Sequence, residues 1–357
     1  AGPTPASQAV APPASSAPSS PASVPKEQSA LEKIVERARG EGKVVYWASS
    51  PQQDGTMQAL EKAFNARFGL DIKIEHVKLD SSTSTSRTIV ETAAGRVPGD
   101  IFFSSAAQLL QVVEASGVEK TDWVSIFGEK LPGIEKRANT LVTDIRGYGL
   151  LLHDTTYCLA YNTKLVRREE VPTRWEGLAD PKWKGRFTID ARSFPFPLLV
   201  FQPGWSQEKV EQLVRELLKN DPLIVPANRG DEVARGEVSL QIVWVRIARQ
   251  IKAQGAPVDC VFMEPTPVIP VYLGVSKTAA HPNAARLFLA WLVTEGLPIL
   301  DEKEFLGGQV TDPATSVGRS VKEAGTQIVA EKSSEDVKTT GTMVRRITEI
   351  ITQVRKN

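Results

Sequence analysis

Paired serines recur at three places where a short apolar run gives way to a helix-like one: Ser49-Ser50, Ser81-Ser82 behind Asp80, and Ser104-Ser105. A hydroxyl there can donate to an anion without bringing a charge that must itself be desolvated. It would act beside the free N–H groups and positive dipole end of the following helix, worth about 0.3–1 kcal/mol to an exposed anion. Serine at such a position also simply caps a helix, and for any one pair both uses stay open. A further polar pair, Arg192-Ser193, follows an apolar segment ending at Asp190, and Trp244 and Arg246 stand at the end of another. A guanidinium suits a carboxylate, phosphate or phosphonate held by two parallel N–H···O bonds, each charge-assisted bond contributing about 1.5–3 kcal/mol. An indole can stack on a planar or sugar-like ligand.

The elements that must carry these side chains follow from periodicity. Ser29 with Glu32 three positions on forms a capping-box pattern; Leu31, Ile34, Val35 and Ala38 then line one helix face, ended by Gly40 and Gly42. Lys43–Trp47 is expected as a buried strand, with a helix starting at Ala48-Ser49-Ser50-Pro51 and continuing through Phe68. Asp71–Val77 alternates as a second strand, a helix runs from the polar stretch 80–87 to Gly95, and Gly99–Phe103 is a third strand. This order is that of an α/β fold with a largely parallel sheet. In open sheets of that kind, ligands lie beyond the carboxyl ends of the strands, where the serine pairs stand.

Further along, Tyr148–His153 and Tyr157–Asn162 read as a long extended segment interrupted by Asp154-Thr-Thr156. Trp175–Gly185 is turn-rich and leads into the strand Arg186–Ile189. Val210–Leu218 is helical, Glu237–Val245 and Val258–Met263 are strands, and Pro267–Val275 is extended again. His281-Pro282-Asn283 begins an apolar helix to Val293, and Val344–Val354 closes the chain as an amphipathic helix. The expected organisation is 28–150 with 268–357 as one lobe and 151–267 as a second lobe inserted into it, crossed twice by the chain.

Composition excludes several classes. With 43 basic and 42 acidic residues the net charge is +1, which argues against nucleic acid as a partner, since such binding rests on clustered Lys and Arg. No apolar run approaches the roughly 20 residues that span a bilayer. Residues 1–27 differ: the first 25 are uncharged and chiefly Ala, Pro and Ser, a composition that cannot bury enough apolar surface to order itself. A disordered tether is expected there, of the kind that follows a lipidated N-terminus. Cys158 and Cys260 are too few for a four-cysteine zinc site and are not a C-x-x-C pair. A disulfide closing their loop of about 100 residues would add up to about 4.7 kcal/mol in the chain-entropy model; two buried thiols are the equal alternative. The three histidines, 76, 153 and 281, have no metal-ligand spacing. Neither a phosphate-binding G-x-x-x-x-G-K-[ST] loop nor a dinucleotide or hydrolase signature is present.

The order of segments resembles the type II periplasmic-binding-protein family, iron/thiamine-type cluster. The stretches that carry the resemblance are 44–68, 98–117, 157–183 and 268–292. Within them Tyr161-Asn162-Thr163-Lys164-Leu165 resembles the family's aromatic-Asn strand end, Trp175–Gly185 its approach to lobe two, and His281–Leu287 its late helix. The resemblance implies two α/β lobes, each a mixed and mostly parallel sheet, closing on a small molecule for delivery to the membrane permease of an ABC importer. It implies no covalent chemistry, no cofactor and a monomer outside the cytoplasm. Ferric-ion binders of the cluster carry adjacent tyrosines after a lobe-two strand. Aligned on Gly236-Glu237-Val238, those positions are Arg246 and Ile247 here, which removes the phenolates that hold iron and puts a fixed positive charge in their place.

The expected ligand is therefore a small organic anion, clamped between the serines of lobe one and Arg246 or Arg192, with Ser193 and Trp244 beside them. The competing expectation places Arg246 and Arg249 on a solvated helix face and Trp244 in the core. Glu264, near the second crossing, could meet an amine ligand, but a hinge salt bridge is the leading expectation. Alternatives of function are a ferric-ion binder without the tyrosine pair, an enzyme reusing the two-lobed fold, and a sensor in which closure signals rather than delivers.

Overall fold

The computed structural model describes residues 1–2, 28–227 and 229–356; the expected tether falls almost wholly outside them. Helix α1 (Ala30–Glu41) starts at the predicted capping box: Ser29 Oγ accepts from Glu32 N, and Ser29 N donates to the Glu32 carboxylate at 2.7 Å. Gly42 ends it in the left-handed region at φ 66°, where a Cβ would be strained. Strand β1 (Lys43–Ala48), α2 (Thr56–Phe68), β2 (Lys73–Lys78), α3 (Ser81–Ala93), β3 (Ile101–Ser105) and α4 (Ala106–Glu114) follow in the expected alternation. The short helices α5 (Trp123–Phe127) and α6 (Ile134–Ala138) lead to β4 (Leu150–Asn162). One expectation fails here. The helix after β1 begins at Thr56, because Ser49–Gly55 forms a loop whose Gly55, at φ 77°, takes the N-cap position.

Strand β4 is the second correction. Asp154-Thr-Thr156 does not interrupt it: the strand runs 13 residues, with only a register shift between Leu151 and His153. The buried polar side chains of Asp154 and Thr156 are accommodated because both find partners. Asp154 accepts from Val310 N and Thr311 Oγ1, and Thr156 Oγ1 donates to Pro267 O at 2.6 Å. Beyond β4 come β5 (Phe187–Asp190), α7 (Gln207–Lys219), β6 (Leu223–Val225), α8 (Asp231–Arg235), β7 (Leu240–Trp244), α9 (Val245–Ala253), β8 (Val258–Val261) and β9 (Thr266–Val275). The chain closes with α10 (Pro282–Leu292), α11 (Leu297–Glu304), α12 (Ser316–Ala324), β10 (Ile328–Val329) and α13 (Ser334–Lys356).

The strands form one continuous path, β2-β1-β3-β9-β4-β7-β5-β6, with β10 on β9 and β8 on β4. β2, β1 and β3 are parallel, as are β7, β5 and β6; β9 and β4 between them pair antiparallel to each other and to their outer neighbours. Two parallel α/β units thus share a central antiparallel ribbon. Separate cores flank it. One gathers Val44, Phe64, Ile101, Phe127 and the largely apolar helix α10 around β1 and β3; α10 buries most of its length, with Arg286 paired to Glu119 on its remaining side. Its start is fixed from a distance: Glu41 accepts from Asn283 N and Ala284 N, and buried Asp100 accepts from His281 N.

The other core packs Trp175, Trp183, Phe187, Phe196, Leu217 and Ile242. Met343, Ile347, Ile350 and Ile351 of α13 belong to it, whereas the expected boundary had assigned 268–357 to the first lobe. The amphipathic stripe of α13 faces α7, and sequence periodicity gives the stripe without its partner. Glu264 also departs from expectation: its carboxylate accepts from Gln327 N at 2.7 Å instead of forming a salt bridge.

Candidate functional site

The register places the two sets of parallel strand ends opposite each other. Ser105, the last residue of β3, pairs with Val271 of β9, and Val271 pairs with His153 of β4. Four residues further along β4, Tyr157 pairs with Trp244, the last residue of β7. At about 3.3 Å per residue the two rims stand on the order of 13 Å apart along β4, room for a small molecule. α4 and α9 each start at the residue after their strand, so both helix N-termini face this gap.

Of the serine pairs, Ser105 caps α4, accepting from Gln108 N while Gln108 Oε1 accepts from Ser105 N. Asp80, not a serine, caps α3; Ser81 and Ser82 lie in its first turn, and Ser82 Oγ accepts from Gln108 Nε2 at 3.1 Å. Ser49 and Ser50 open the loop after β1 and cap nothing. Among the described residues, the hydroxyls of Ser50, Ser104 and Ser193 are buried without a hydrogen-bond partner. All three stand at or just past the carboxyl end of a parallel strand: β1, β3 and β5. A buried hydroxyl left unmatched costs about 1–3 kcal/mol. Ser193 carries more strain, with φ 72°, a left-handed conformation that costs of order 1–3 kcal/mol for a residue with a Cβ.

The second rim differs in part from expectation. Arg192 is already committed: its Nε and Nη2 donate to the two carboxylate oxygens of Asp190 at 3.0 and 2.6 Å. Asp190 is buried, so the fork neutralises a charge at the floor of the rim instead of awaiting a ligand. Trp244 is half-buried and stacks on Tyr157, ring centroids 3.9 Å apart, which covers one indole face. Arg246, in the first turn of α9, reaches back across the gap, donating from Nη1 to Gln52 Oε1 at 3.4 Å. It is half-buried: partial burial pushes its guanidinium below the ordinary value, and the Glu304 carboxylate opposes that.

Three residues that sequence reasoning passed over complete the site. Glu304, 1% exposed, accepts from Gln52 N, Gln53 N and Thr56 Oγ1 at 2.8, 2.9 and 3.0 Å. It thereby fixes the loop that carries Ser50 and Gln52. His153 is buried; desolvation, then the Arg246 charge, hold its pKa down to about 4, so the ring is neutral. Tyr157 supplies the stack under Trp244. Only Tyr157 left a sequence signal, as an aromatic in a strand of the crossing segment; Glu304 is about 250 residues from its partners.

Below this level Arg137, Arg249 and Asp301 each keep one buried side-chain atom without a hydrogen-bond partner. Burial raises the Asp301 carboxyl to about 6, against the pull of Arg137 and Arg249. Among the described residues, no group of three or more His, Cys, Asp or Glu side chains could hold a metal ion, and no helix is long and apolar enough to cross a membrane.

The fold is that of known binding proteins. Iron-bound HitA from Pseudomonas aeruginosa superposes with a TM-score of 0.65 at 18% identity, covering 86% of this chain and 99% of that one. AfuA from Actinobacillus pleuropneumoniae, a periplasmic binding protein with fructose-6-phosphate bound, gives 0.62 at 18% identity, covering 86% and 98%. The spermidine/putrescine ABC transporter substrate-binding protein PotD from Streptococcus pneumoniae gives 0.64 at 15%, covering 86% and 98%. At such identities the likeness is one of fold, that of type II periplasmic binding proteins, whose ligands range here from a metal to a sugar phosphate. The family model described as bacterial extracellular solute-binding protein matches residues 59–296, and with most of both lobes inside that match, the chain belongs to this family, whose members are the solute-capturing components of ABC transporters.

Proposed function

We propose that this chain captures a small organic anion in the gap between β1/β3 and β5/β7 and delivers it to an ABC permease, without covalent chemistry. The observation that carries this reading is that three of the unmatched buried hydroxyls, Ser50, Ser104 and Ser193, stand at strand ends opposite a half-buried, charged Arg246. The hydroxyls can donate, and the guanidinium supplies the charge-assisted bond that fixes an anion's position. Trp244, one face exposed to the gap, adds apolar contact. The fructose-6-phosphate bound to AfuA supports an anionic ligand for this fold. Iron, as on HitA, is a poorer match to these side chains, since Arg246 stands at the rim. Ligand joins one lobe first, contacts from the other favour the closed arrangement, and the permease recognises that arrangement.

A thermal-shift screen against organic acids, sugar phosphates, phosphonates, polyamines, thiamine and ferric citrate tests this. A ligand at 100 times its Kd stabilises by about 2.7 kcal/mol, a visible shift in Tm. Hits confined to anions, and lost in Arg246→Ala, are expected; a hit with a polyamine or ferric citrate alone would sink the reading.

A further inference from the structure

A cavity of about 460 Å³ lies one helical turn along α9 from Arg246, bounded by α9, β8, Phe305 and α12. Its polar lining is Arg249, Lys252, Asp259, Cys260 and Ser320. Two features mark it. Phe305, a bulky residue, holds φ 59°, a conformation found where surrounding structure enforces it. Arg249 keeps its buried Nε without a hydrogen-bond partner, while Lys252 Nζ pairs with Asp259 Oδ2 at 2.9 Å.

The cavity also exposes a sulfur. Cys260 of β8 pairs directly with Ala160 of β4, so its side chain shares a sheet face with Cys158, two residues back on β4. Neither is in a disulfide. Cys158 is wholly buried, whereas Cys260 lines the cavity. The neighbouring Cys158 thiol, then Lys252 and Arg249, hold the Cys260 thiol below its ordinary value. Burial pushes Cys158 well up. The accessible sulfur is thus the one poised to be a thiolate, the reactive form, and the hidden one is a ready resolving partner.

We propose that Cys260 is a thiol–disulfide exchange centre, fed through this cavity by small anionic disulfides whose acidic groups meet Arg249 and Lys252. The Cys260 thiolate attacks one sulfur of R–S–S–R; a protein–S–S–R bond forms as the probe's S–S bond breaks, and RS⁻ leaves. Cys158 then gives up its proton and attacks the Cys260 sulfur. The Cys158–Cys260 bond forms and the second RS⁻ departs. Two protein thiols are oxidised to one disulfide and R–S–S–R is reduced to two R–SH. The inference is independent of the ligand proposed for the gap.

The test uses 5,5′-dithiobis(2-nitrobenzoate), a dianionic disulfide, on the folded full chain, with released thiolate and intact mass as readouts. Wild type is expected to release two thiolates per chain, retain no adduct and become two hydrogens lighter. Cys158→Ser should release one thiolate and keep the mixed disulfide; Cys260→Ser should stay silent until unfolded. Lys252→Gln should slow the anionic probe by roughly threefold or more beyond the slowing it shares with neutral 2,2′-dithiodipyridine, the shared part reflecting a less acidic Cys260 thiol. The proposal is overturned if Cys260→Ser reacts as fast as wild type, if folded wild type does not react, or if it retains an adduct.

Discussion

Arg246 and Gln52 meet across the gap between the two parallel units, Nη1 to Oε1 at 3.4 Å, and Gln52 is in turn held through its backbone by Glu304. The bond is long, and its acceptor is a neutral amide; a carboxylate or phosphate would be the stronger partner. On the proposed reading, Gln52 is a placeholder that an anion would displace. Once an anionic ligand is identified, Arg246→Gln should weaken it by roughly 10- to 150-fold, the loss of about 1.5–3 kcal/mol, with Gln52→Ala neutral or tightening. Calorimetric titration of both variants decides it: equal affinities in wild type and Arg246→Gln would remove Arg246 from the site.

Glu304 accepts three bonds while almost wholly buried. Glu304→Ala leaves two backbone N–H groups and a hydroxyl unmatched, so a loss of about 2–4 kcal/mol in stability is expected. Ligand affinity should fall with it, because the same loop carries Ser50. Chemical denaturation measures the first effect. A variant as stable as wild type would show that the loop does not depend on this carboxylate.

Asp301 gives a pH signature. Its folded pKa of about 6 lies above the ordinary 3.8, so the folded chain holds the proton more tightly than the unfolded one. Stability is full below about 3.8 and falls as pH rises to about 6. At pH 7, Asp301→Asn should thus be more stable than wild type by about 1–2 kcal/mol, reduced for partial exposure, and the gap should close on acidification. Melting curves from pH 4 to 8 test the sign.

His153 works in the opposite direction. Its pKa is lowered from 6.5 to about 4, so the unfolded chain takes up the proton first. The contribution is intact above 6.5 and is lost as pH falls towards 4. Against His153→Gln, wild type should lose stability over that interval. A parallel pH dependence of the two would mean that the ring is not held neutral.

Gly99 and Gly149 stand where backbone passes close to side chains. A Cβ on Gly99 would lie 2.5 Å from the Trp47 ring, and one on Gly149 would lie 2.7 Å from Leu109 and 3.0 Å from Leu273 O. Alanine at either position should destabilise by about 1–3 kcal/mol, with Gly149 the worse, since β4 cannot shift away from β9. Urea midpoints that match wild type would contradict the packing described.

The alternation of strand and helix was legible because each element presents its own period; Ser49-Ser50 and Ser104-Ser105 stand at strand ends, whereas Ser81-Ser82 fall in the first turn of α3. What could not be read was which polar groups were already satisfied. Ser105 and Asp80 look alike in sequence as caps and as ligands, and only tertiary structure shows Ser50, Ser104 and Ser193 unmatched. Arg192 was misjudged for the same reason: two residues after Asp190, its fork folds back onto that carboxylate. Glu304 and Gln52 act together across a separation of about 250 residues that carries no local signal. The unbroken run of β4 through Asp154-Thr-Thr156 depended on partners at 267, 310 and 311 that no periodicity announces.

Because β4 and β9 are shared by both units without a break, the two halves are not joined by a pair of flexible tethers. They are joined by a paired ribbon whose cross-strand bonds run from Leu150 to Thr156. Parting the rims must therefore wring this ribbon along its length, and α13, which packs Val337 against the first unit's α4 region and Ile347 against the second unit's core, acts as a stay alongside it. On this architecture opening would resemble the flexing of a leaf spring more than the swing of a door, with the resistance lying in backbone pairing and one long strut, away from the candidate site.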